Sequence, residues 1–338
     1  MTDRPRLTPA IADVRRAVRD AWDLAGVQHG DRIQLACSGG ADSLALVGAA
    51  AFEAQRAGIE LQVVIVDHGL QAGSAGIAKQ AQAACHRLGV SNTITTRVQV
   101  DLAAGKGLEA SAREARYTAL REQQDLWQPR FVMLGHTLSD QAESVLLGLT
   151  RGSGPRSVAG MQIIDGIWLR PLLGIERATT EQFCIDSGIE FWVDPHNSNP
   201  AFTRVRIRES VLPMLESELG PGVSSALART AELLRQDLDY LDELAREQFK
   251  RISVSSATGV LLPIGELKML HQAVLGRVIQ LALQVFGPTF SKTHIDAVCE
   301  LVHNWHGQKE LTLPGVRVVR QDGSIVFKSS KTLKPGAC

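Results

Sequence analysis

The stretch Ser38-Gly39-Gly40-Ala41-Asp42-Ser43 decides how the first half of this chain is interpreted. The apolar run at 33–37 before it is typical of a buried strand, and the apolar run at 44–51 after it is typical of a helix. The six residues are therefore predicted to form the turn that joins a strand to a helix.

Such a turn is suited to binding an anion such as the phosphates of a nucleotide. Gly39 and Gly40 let the backbone approach a ligand closely, and the amides of the turn and of the helix N-terminus point to one spot. Ser38 and Ser43 add hydroxyl donors. Asp42 would repel a phosphate unless a cation lies between them, so we expect Mg²⁺ there. The alternative is a tight turn with a Ser/Asp helix cap.

Length and composition set broad limits on the class of protein. The 338 residues suffice for two domains. Lys plus Arg and Asp plus Glu both number 36, so net charge argues neither for nor against a nucleic-acid partner. The five cysteines form no CxxC pair, which argues against a zinc ribbon, a cysteine-held cluster or a disulfide scaffold. A polar N-terminus and the lack of a long apolar run favour a cytoplasmic protein without a membrane segment.

Strand and helix patterns alternate through the first half of the chain, which predicts an α/β fold with a doubly wound, mostly parallel sheet. The second strand pattern, at 61–66, ends in Asp67 and His68. Ligands bind at the carboxyl ends of strands in such sheets, so both side chains are expected beside the glycine turn. The alternative interpretation is that Asp67 and His68 are the ordinary polar residues found where any strand ends, without a part in binding.

Two clusters of polar and charged side chains are predicted to lie near the glycine turn. Arg113 and Arg116 lie three residues apart on one face of a predicted helix, and each could fork to a phosphate or a carboxylate. His136, Asp140 and Glu143 share a face if a helix begins near His136, and they could hold a metal, bind a cationic substrate or move protons. The alternatives are a solvated helix face for the arginines and a helix cap with exposed acids for the second group.

Three arginines alternate at Arg204, Arg206 and Arg208 and form a candidate patch for a nucleic-acid backbone, with ordinary surface charge as the alternative.

The glycine- and proline-rich break at 220–222 is predicted to separate two domains, 1–219 and 220–338. The second domain is predicted to be smaller and mainly helical. Its predicted helices and short strands are at 223–251, 264–286, 291–305, 311–313, 316–319 and 324–327.

The hexapeptide at 38–43 resembles the SGGxDS signature of the PP-loop ATP pyrophosphatases, which activate a carbonyl oxygen by adenylation and release pyrophosphate. That resemblance implies the adenine-nucleotide alpha hydrolase-like fold and the use of Mg-ATP. A longer ordered series, over residues 32–215, resembles the tRNA(Ile)-lysidine synthetase family. Its further segments are Gly107-Leu108-Glu109 with Ala112-Arg113 and Arg116-Tyr117, Gly135-His136 with Asp140, Ala142 and Glu143, Leu149-Thr150-Arg151-Gly152-Ser153-Gly154, Leu169-Arg170-Pro171-Leu172-Leu173, Asp194-Pro195-His196-Asn197, and Arg204 to Arg208.

This resemblance implies a carbon–nitrogen ligase. The wobble cytidine of the isoleucine tRNA with a CAU anticodon would be adenylated at its C2 carbonyl oxygen, and the ε-amine of free L-lysine would then expel AMP. The lysidine product would change decoding from AUG to AUA. The chain departs from the family pattern at Ser139, where an aspartate is usual, and at Val205, where an asparagine is usual.

The resemblance also implies a role for each candidate residue. A homodimer is one of the assemblies that we consider. The alternatives to a lysidine synthetase are another PP-loop tRNA enzyme, such as a 2-thiolase, and a non-catalytic nucleotide-binding module. The implied catalytic residues are Asp42, Arg113, Arg116, His136, Asp140 and Glu143; the ATP-binding residues are Ser38, Gly39, Gly40, Asp42, Ser43, Asp67 and His68; the tRNA-binding residues are Arg151, Arg204, Arg206 and Arg208; and the implied Mg²⁺ ligand is Asp42.

Overall fold

The computed structural model describes residues 7–70, 73–101, 107–152, 154–194, 199–256, 259–287 and 290–330. The family-like segment at 194–197 and the serine at 153 therefore lie partly or wholly outside the described residues. The chain folds as two compact units, Met1–Glu232 and Leu233–Cys338. The predicted boundary at 219/220 precedes this division, because the long helix Val223–Ile252 begins in the first unit and ends in the second.

The described part of the first unit contains one sheet and the helices around it. Its strands are β1 (Arg32–Cys37), β2 (Glu60–Asp67), β3 (Thr93–Arg97), β4 (Phe131–Met133), β5 (Ile164–Asp165) and β6 (Trp168–Leu169). Its helices are α1 (Pro9–Leu24), α2 (Ala41–Ala57), α3 (Ser74–Arg87), α4 (Leu108–Trp127), α5 (Leu138–Arg151), α6 (Pro155–Val158), α7 (Arg177–Asp186), α8 (Thr203–Arg206) and α9 (Leu212–Leu219), with a 3₁₀ helix at Pro171–Gly174 and a π-helix at Ile207–Val211.

The sheet has the strand order β3-β2-β1-β4-β6-β5, and all pairings are parallel except that of β5 with β6. The chain moves outward from β1 through β2 to β3 and then resumes at β4 on the other side of β1. The order of the strands therefore reverses between β1 and β4, and ligands bind at the carboxyl ends of the strands at such a point. This arrangement confirms the predicted doubly wound, mostly parallel sheet.

The core beneath the glycine turn follows from the local sequence. In α1, Ile11, Val14, Val18 and Trp22 recur at helical spacing and are all buried, and the helix begins where the Thr8 hydroxyl accepts a hydrogen bond from the Ile11 amide at 3.4 Å. Helix α2 is buried along nearly its whole first half, consistent with its apolar sequence at 44–50. These two helices pack together and hold the start of α2 in place.

The second unit combines helices with an antiparallel sheet. The elements are α10 (Val223–Ile252), β7 (Val254–Ser256), β8 (Gly259–Pro263), α11 (Ile264–Met269), α12 (Gln272–Gln284), α13 (Lys292–His303), β9 (Leu311–Leu313), β10 (Val316–Gln321) and β11 (Ser324–Ser329). The strands lie in the order β7-β8-β11-β10-β9. Strands β9 to β11 were predicted, whereas β7 and β8 were not, and the predicted helix at 264–286 is divided at 270–271 into α11 and α12. Strand β8 pairs with β11, some 60 residues later in the chain, and no local pattern indicates such a partner.

The described residues contain neither a candidate membrane span nor a candidate cluster of metal ligands. None of the helices there combines the length and the apolar character that crossing a bilayer requires. No group of three or more His, Cys, Asp or Glu side chains in the described part of the chain is arranged to hold a metal ion. His294 closes the N-terminus of α13, where its Nδ1 accepts a hydrogen bond from the Ser291 amide at 3.2 Å.

Candidate active site at the carboxyl edge of the sheet

The hexapeptide forms the predicted turn between β1 and α2. Gly39 has a φ of +83°, which favours glycine, and a Cβ there would lie 3.1 Å from the Cβ of Ala81 in α3. The Ser43 hydroxyl accepts from the Ser38 amide at 3.2 Å and donates to the Gly40 carbonyl at 2.9 Å. Ser43 therefore braces the turn, and Gly40, the N-cap of α2, offers no side-chain acceptor to the amides of the first helical turn.

A cavity of about 570 Å³ opens above this turn. The loop after β4 comes close to α2, since a Cβ on Gly135 would lie 3.1 Å from the Asp42 carbonyl oxygen. The cavity therefore collects side chains from the ends of β1, β2 and β4 and from α4, as the sequence predicted. The candidate residues that line it are Ser38, Gly40, Asp42, Ser43, Asp67, His68, Arg113, Arg116, His136, Asp140, Arg204 and Arg208.

Asp67 and His68 lie where β2 ends. The Asp67 Oδ1 accepts a hydrogen bond from the Gly69 amide at 2.9 Å. Burial opposes ionisation of Asp67, but this amide, the Ser74 hydroxyl and the Arg97 charge hold its pKa below the usual range. Burial and the neighbouring Arg116 lower the pKa of His68, whose buried Nδ1 has no hydrogen-bond partner among the described residues. The pair therefore presents a carboxylate and a neutral imidazole.

His136 lies before α5 rather than within it, because Thr137 is the N-cap and the helix begins at Leu138. The predicted shared helical face is therefore wrong for His136 and holds only for Asp140 and Glu143. Burial, together with the charges of Arg116 and Arg113 and against that of Asp140, lowers the pKa of His136 to about 3. At neutral pH the imidazole is uncharged, which suits it to hydrogen bonding more than to carrying a charge.

Asp140 caps its own helix while facing two arginines. Its Oδ2 accepts from the Thr137 amide at 2.8 Å and from the Thr137 hydroxyl at 3.0 Å. Its Oδ1 lies 3.7 Å from Nη2 of Arg177 and 3.6 Å from Nη2 of Arg208. Burial alone would raise the pKa of Asp140, but His136, the Thr137 amide and the two arginines hold it below the usual range. Asp140 is therefore an ionised carboxylate at the cavity wall.

Glu143 lies behind the cavity with no exposed surface. Its Oε1 is 2.7 Å from Nε and 2.6 Å from Nη2 of Arg208, and its Oε2 is 3.8 Å from Nη1 of Arg204. Burial raises the pKa of Glu143, and Arg208 and Arg204 oppose that rise. Arg208 belongs to the π-helix, a form that often marks functional sites. Two of the four arginines predicted for tRNA binding thus contact Glu143.

The other two arginines predicted for tRNA binding, Arg151 and Arg206, are exposed and do not line the cavity. Arg206 is held by hydrogen bonds from its Nη1 to the carbonyls of Pro200 at 2.7 Å and Ala201 at 3.0 Å. Arg151 lies in the last turn of α5. Both guanidinium groups are therefore presented at the surface of the first unit.

Sequence reasoning missed two residues of α7 that contact the turn. The Thr180 hydroxyl donates to Oδ1 of Asp42, and Nε of Arg177 lies 3.4 Å from Oδ2 of the same carboxylate. Burial raises the pKa of Asp42, while Arg177 and Thr180 oppose that rise. Arg177 also faces Asp140, so one guanidinium links both carboxylates. The spacing of an arginine and a threonine three residues apart on a helix carries no signal that would have identified them.

Comparisons with known proteins agree along almost the whole chain. A model of the PP-loop domain matches residues 12–215, and a model of the TilS substrate binding domain matches residues 262–326. The tRNA(Ile)-lysidine synthase of Leifsonia xyli subsp. xyli is 50% identical over 300 residues, covering 88% of this chain and 90% of that protein. The chain belongs to the tRNA(Ile)-lysidine synthase family. Members named tRNA(Ile)-lysidine synthase from Thermobifida fusca (44% identical, covering 95% and 98%) and Mycobacterium tuberculosis (45%, covering 94% and 97%) are similar over comparable lengths.

A solved structure supports the fold over about two thirds of the chain. The U34-tRNA thiolase NcsA from Methanococcus maripaludis, with its [4Fe-4S] cluster, matches with a TM-score of 0.56 at 17% identity, covering 67% of this chain and 80% of that chain. At that identity the likeness concerns the fold alone.

The residues of this lysidine synthase family site fit a magnesium nucleotide. The amides of the first turn of α2 meet a tight glycine turn, which suits phosphate oxygens. Asp42 lines the same cavity and offers the hard oxygen ligand that Mg²⁺ prefers. PP-loop membership implies the use of ATP.

Proposed function

We propose that this chain ligates free L-lysine to C2 of the wobble cytidine of the isoleucine tRNA with a CAU anticodon, at the expense of ATP. The observation that carries the proposal is the single cavity in which the glycine turn, the carboxylates of Asp42 and Asp140, and the arginines of α4 meet. Membership of the tRNA(Ile)-lysidine synthase family over both halves of the chain supports the choice of reaction. Because the reaction consumes ATP and tRNA, the proposal places the enzyme in the cytoplasm.

In the first step the glycine turn holds the nucleotide phosphates. The amides of Gly39 to Ser43 and the Ser38 hydroxyl would contact phosphate oxygens, while Asp67 and His68 would seat the adenosine. Mg²⁺, with Asp42 among its ligands, would offset the charge that develops on pyrophosphate. Arg113 and Arg116 line the same cavity and would stabilise the transferring phosphoryl group. Adenylation turns the C2 carbonyl oxygen of the cytidine into a good leaving group.

In the second step the carboxylates receive lysine. Asp140 is ionised and lines the cavity, so it would attract the ε-ammonium group. Glu143 lies further back and sets the position of Arg208, which would face the carboxylate of the amino acid. Lysine must lose a proton before its amine attacks. His136, held neutral, would accept a hydrogen bond from the amine and orient it.

The tRNA must present its cytidine out of the stack to reach this cavity, as other base-modifying enzymes require. Arg151 and Arg206 are exposed and would contact the phosphate backbone. Arg204 lies between the surface and the cavity, 3.6 Å from Glu109 and 3.8 Å from Glu143, and would guide the backbone towards the site.

Incorporation of labelled lysine tests the proposal. Unmodified isoleucine tRNA with a CAU anticodon is incubated with the protein, Mg-ATP and labelled lysine, and a methionine tRNA with the same anticodon is the control. We expect label in the isoleucine tRNA alone, together with release of AMP and pyrophosphate. Pyrophosphate release without lysine incorporation would indicate another PP-loop tRNA modification and overturn the choice of nucleophile. Light scattering on the same sample distinguishes a monomer from a homodimer.

A matched pair of variants locates the chemistry. Asp42→Asn keeps the size of the side chain but removes its charge, and Asp125→Asn makes the same change at the end of α4, outside the cavity lining. We expect loss of pyrophosphate release only in Asp42→Asn. Equal rates in the two variants would overturn the assignment of the turn.

A further inference from the structure

A pair of thiols lies directly below the glycine turn. Cys37 ends β1 immediately before Ser38, and Cys85 lies in α3. The Cys85 thiol donates a hydrogen bond to the Cys37 sulfur, and the two sulfur atoms are 3.9 Å apart. Both side chains are buried, and neither has a part in the proposed ligation. The pair therefore places two redox-active groups next to the turn without any role in the chemistry described above.

Cys37 borders the cavity, whereas Cys85 lies behind it. Cys37 is 4% exposed and belongs to the lining of the cavity. Cys85 has no exposed surface and does not belong to that lining. A small molecule that enters the cavity therefore meets the Cys37 sulfur first.

The surroundings of Cys37 favour its thiolate. The Cys85 thiol and the Gly39 amide donate to its sulfur, and the Ser43 hydroxyl lies 3.6 Å away. Hydrogen bonding from Cys85 outweighs burial and lowers the pKa of the Cys37 thiol, whereas that of Cys85 is raised by the same contact and by burial. The thiolate is the nucleophilic form of cysteine, so Cys37 is the attacking member and Cys85 the resolving member of the pair.

We propose that Cys37 and Cys85 form a redox-sensitive pair, which a hydroperoxide oxidises to a disulfide and which thereby weakens nucleotide binding by the glycine turn. The Cys37 sulfur attacks one oxygen of hydrogen peroxide, the O–O bond breaks, and the hydroxide that leaves takes up the Cys37 proton as water while Cys37 becomes a sulfenic acid. The Cys85 sulfur then attacks Cys37, the S–O bond breaks, and the released hydroxide takes up the Cys85 proton as water. With hydrogen peroxide, two thiols yield one disulfide and two waters.

Closing this bond would disturb the turn. The sulfur atoms must approach from 3.9 Å to a bond of about 2.05 Å. Cys37 would then draw away from Ser43, whose hydroxyl braces both Ser38 and Gly40. The loss of nucleotide affinity rests on the proposed function, whereas formation of the disulfide does not.

Peptide mapping of the full chain tests the pair. The protein carries Cys338→Ser, so that the last residue cannot link two copies, and is treated with hydrogen peroxide and then alkylated. We expect one linked pair of peptides, containing Cys37 and Cys85, that dithiothreitol separates. ATP should slow its formation, because a bound nucleotide occupies the cavity. The absence of the linked peptides, or a link from Cys37 to Cys184, would overturn the proposal.

Two variants and a binding measurement complete the test. Cys85→Ala should stop at a sulfenic acid on Cys37, detected with dimedone, whereas Cys299→Ala, a matched change in the second unit, should form the disulfide normally. Thermal unfolding of both variants checks that they fold. Calorimetry should show ATP bound about tenfold more weakly by the oxidised protein, as expected for the loss of one hydrogen bond to a charged ligand, and restored by reductant.

The outcomes separate the two proposals. Unchanged ATP affinity in the oxidised protein would overturn the switch. Absence of ATP binding by the reduced protein would overturn the proposed nucleotide site and with it the switch, while the linked peptides would still establish the thiol pair.

Discussion

The guanidinium of Arg208 lies against the carboxylate of Glu143, with Nε 2.7 Å and Nη2 2.6 Å from the same oxygen, Oε1. Glu143 has no exposed surface, whereas the Arg208 side chain is 19% exposed. The contact joins α5 to the π-helix at Ile207–Val211, and the second oxygen of Glu143 has no hydrogen-bond partner among the described residues. The buried Glu143 carboxylate thus has Arg208 as its main partner, with Arg204 further away at 3.8 Å from Oε2.

Removing that arginine should destabilise the first unit. In Arg208→Met the Glu143 carboxylate stays buried without its main partner, which should lower the free energy of unfolding by about 3 kcal/mol. Arg206→Met is the matched control, since its exposed side chain lies two residues away and should change stability by at most about 0.5 kcal/mol. Urea denaturation measures both. Adding Glu143→Gln to Arg208→Met should restore part of the loss, and a further loss would contradict the assigned pairing.

Arg177 should set the acid limit of activity through Asp42. Burial raises the pKa of Asp42 and Arg177 opposes that rise, so Arg177→Met should raise the pKa further. Asp42 is ionised only above its pKa, and the acid limb of the rate of pyrophosphate release should therefore move to higher pH in Arg177→Met. Arg177→Lys, which keeps a positive charge, should move it less. An acid limb at the same pH in all three proteins would show that Arg177 does not act on Asp42.

Gly39 should tolerate no side chain. Its φ is +83°, and a Cβ would lie 3.1 Å from Ala81, so Gly39→Ala should cost about 1–2 kcal/mol in stability and distort the phosphate-binding amides. Gly76→Ala is the control, because Gly76 lies in α3 with open space around a Cβ and should gain about 0.5–1 kcal/mol. Thermal unfolding and ATP titration report both effects. Equal ATP affinity in the two variants would refute the close approach of the backbone to the nucleotide.

Arg151 and Arg206 should contribute to tRNA affinity without sequence preference. Each alanine variant should weaken binding and reduce the slope of log K against log salt concentration by about 0.7–0.9, the value for one phosphate contact. Arg16→Ala is the control, since Arg16 is an exposed arginine on α1, outside the proposed tRNA surface. Filter binding at several salt concentrations gives the slopes. An unchanged slope for Arg151→Ala would remove that residue from the tRNA surface.

Much of the site was predictable because its elements are local. The spacing of apolar residues predicts the elements that carry the glycine turn, Asp67-His68, and the arginines Arg113 and Arg116. Parallel strands then bring their carboxyl ends to one edge of the sheet. The first residue of α5 was not predicted: the sequence indicated a helix that begins near His136, whereas Thr137 is the N-cap and the helix begins at Leu138. Strand β8 was not predicted because it pairs with β11, some 60 residues later in the chain, and the short strand β7 pairs with β8.

The sequence by itself determined the fold class, the position of the anion-binding turn and the family, since these follow from short-range periodicity, glycine conformations and an ordered series of motifs. Only the tertiary structure decided which charges meet. Thr180 reaches Asp42 across 138 residues, Arg208 reaches Glu143 across 65, and Cys85 reaches Cys37 across 48. Such pairs form because helices from distant parts of the chain pack around one sheet edge, and packing is a property of the whole first unit rather than of any local pattern.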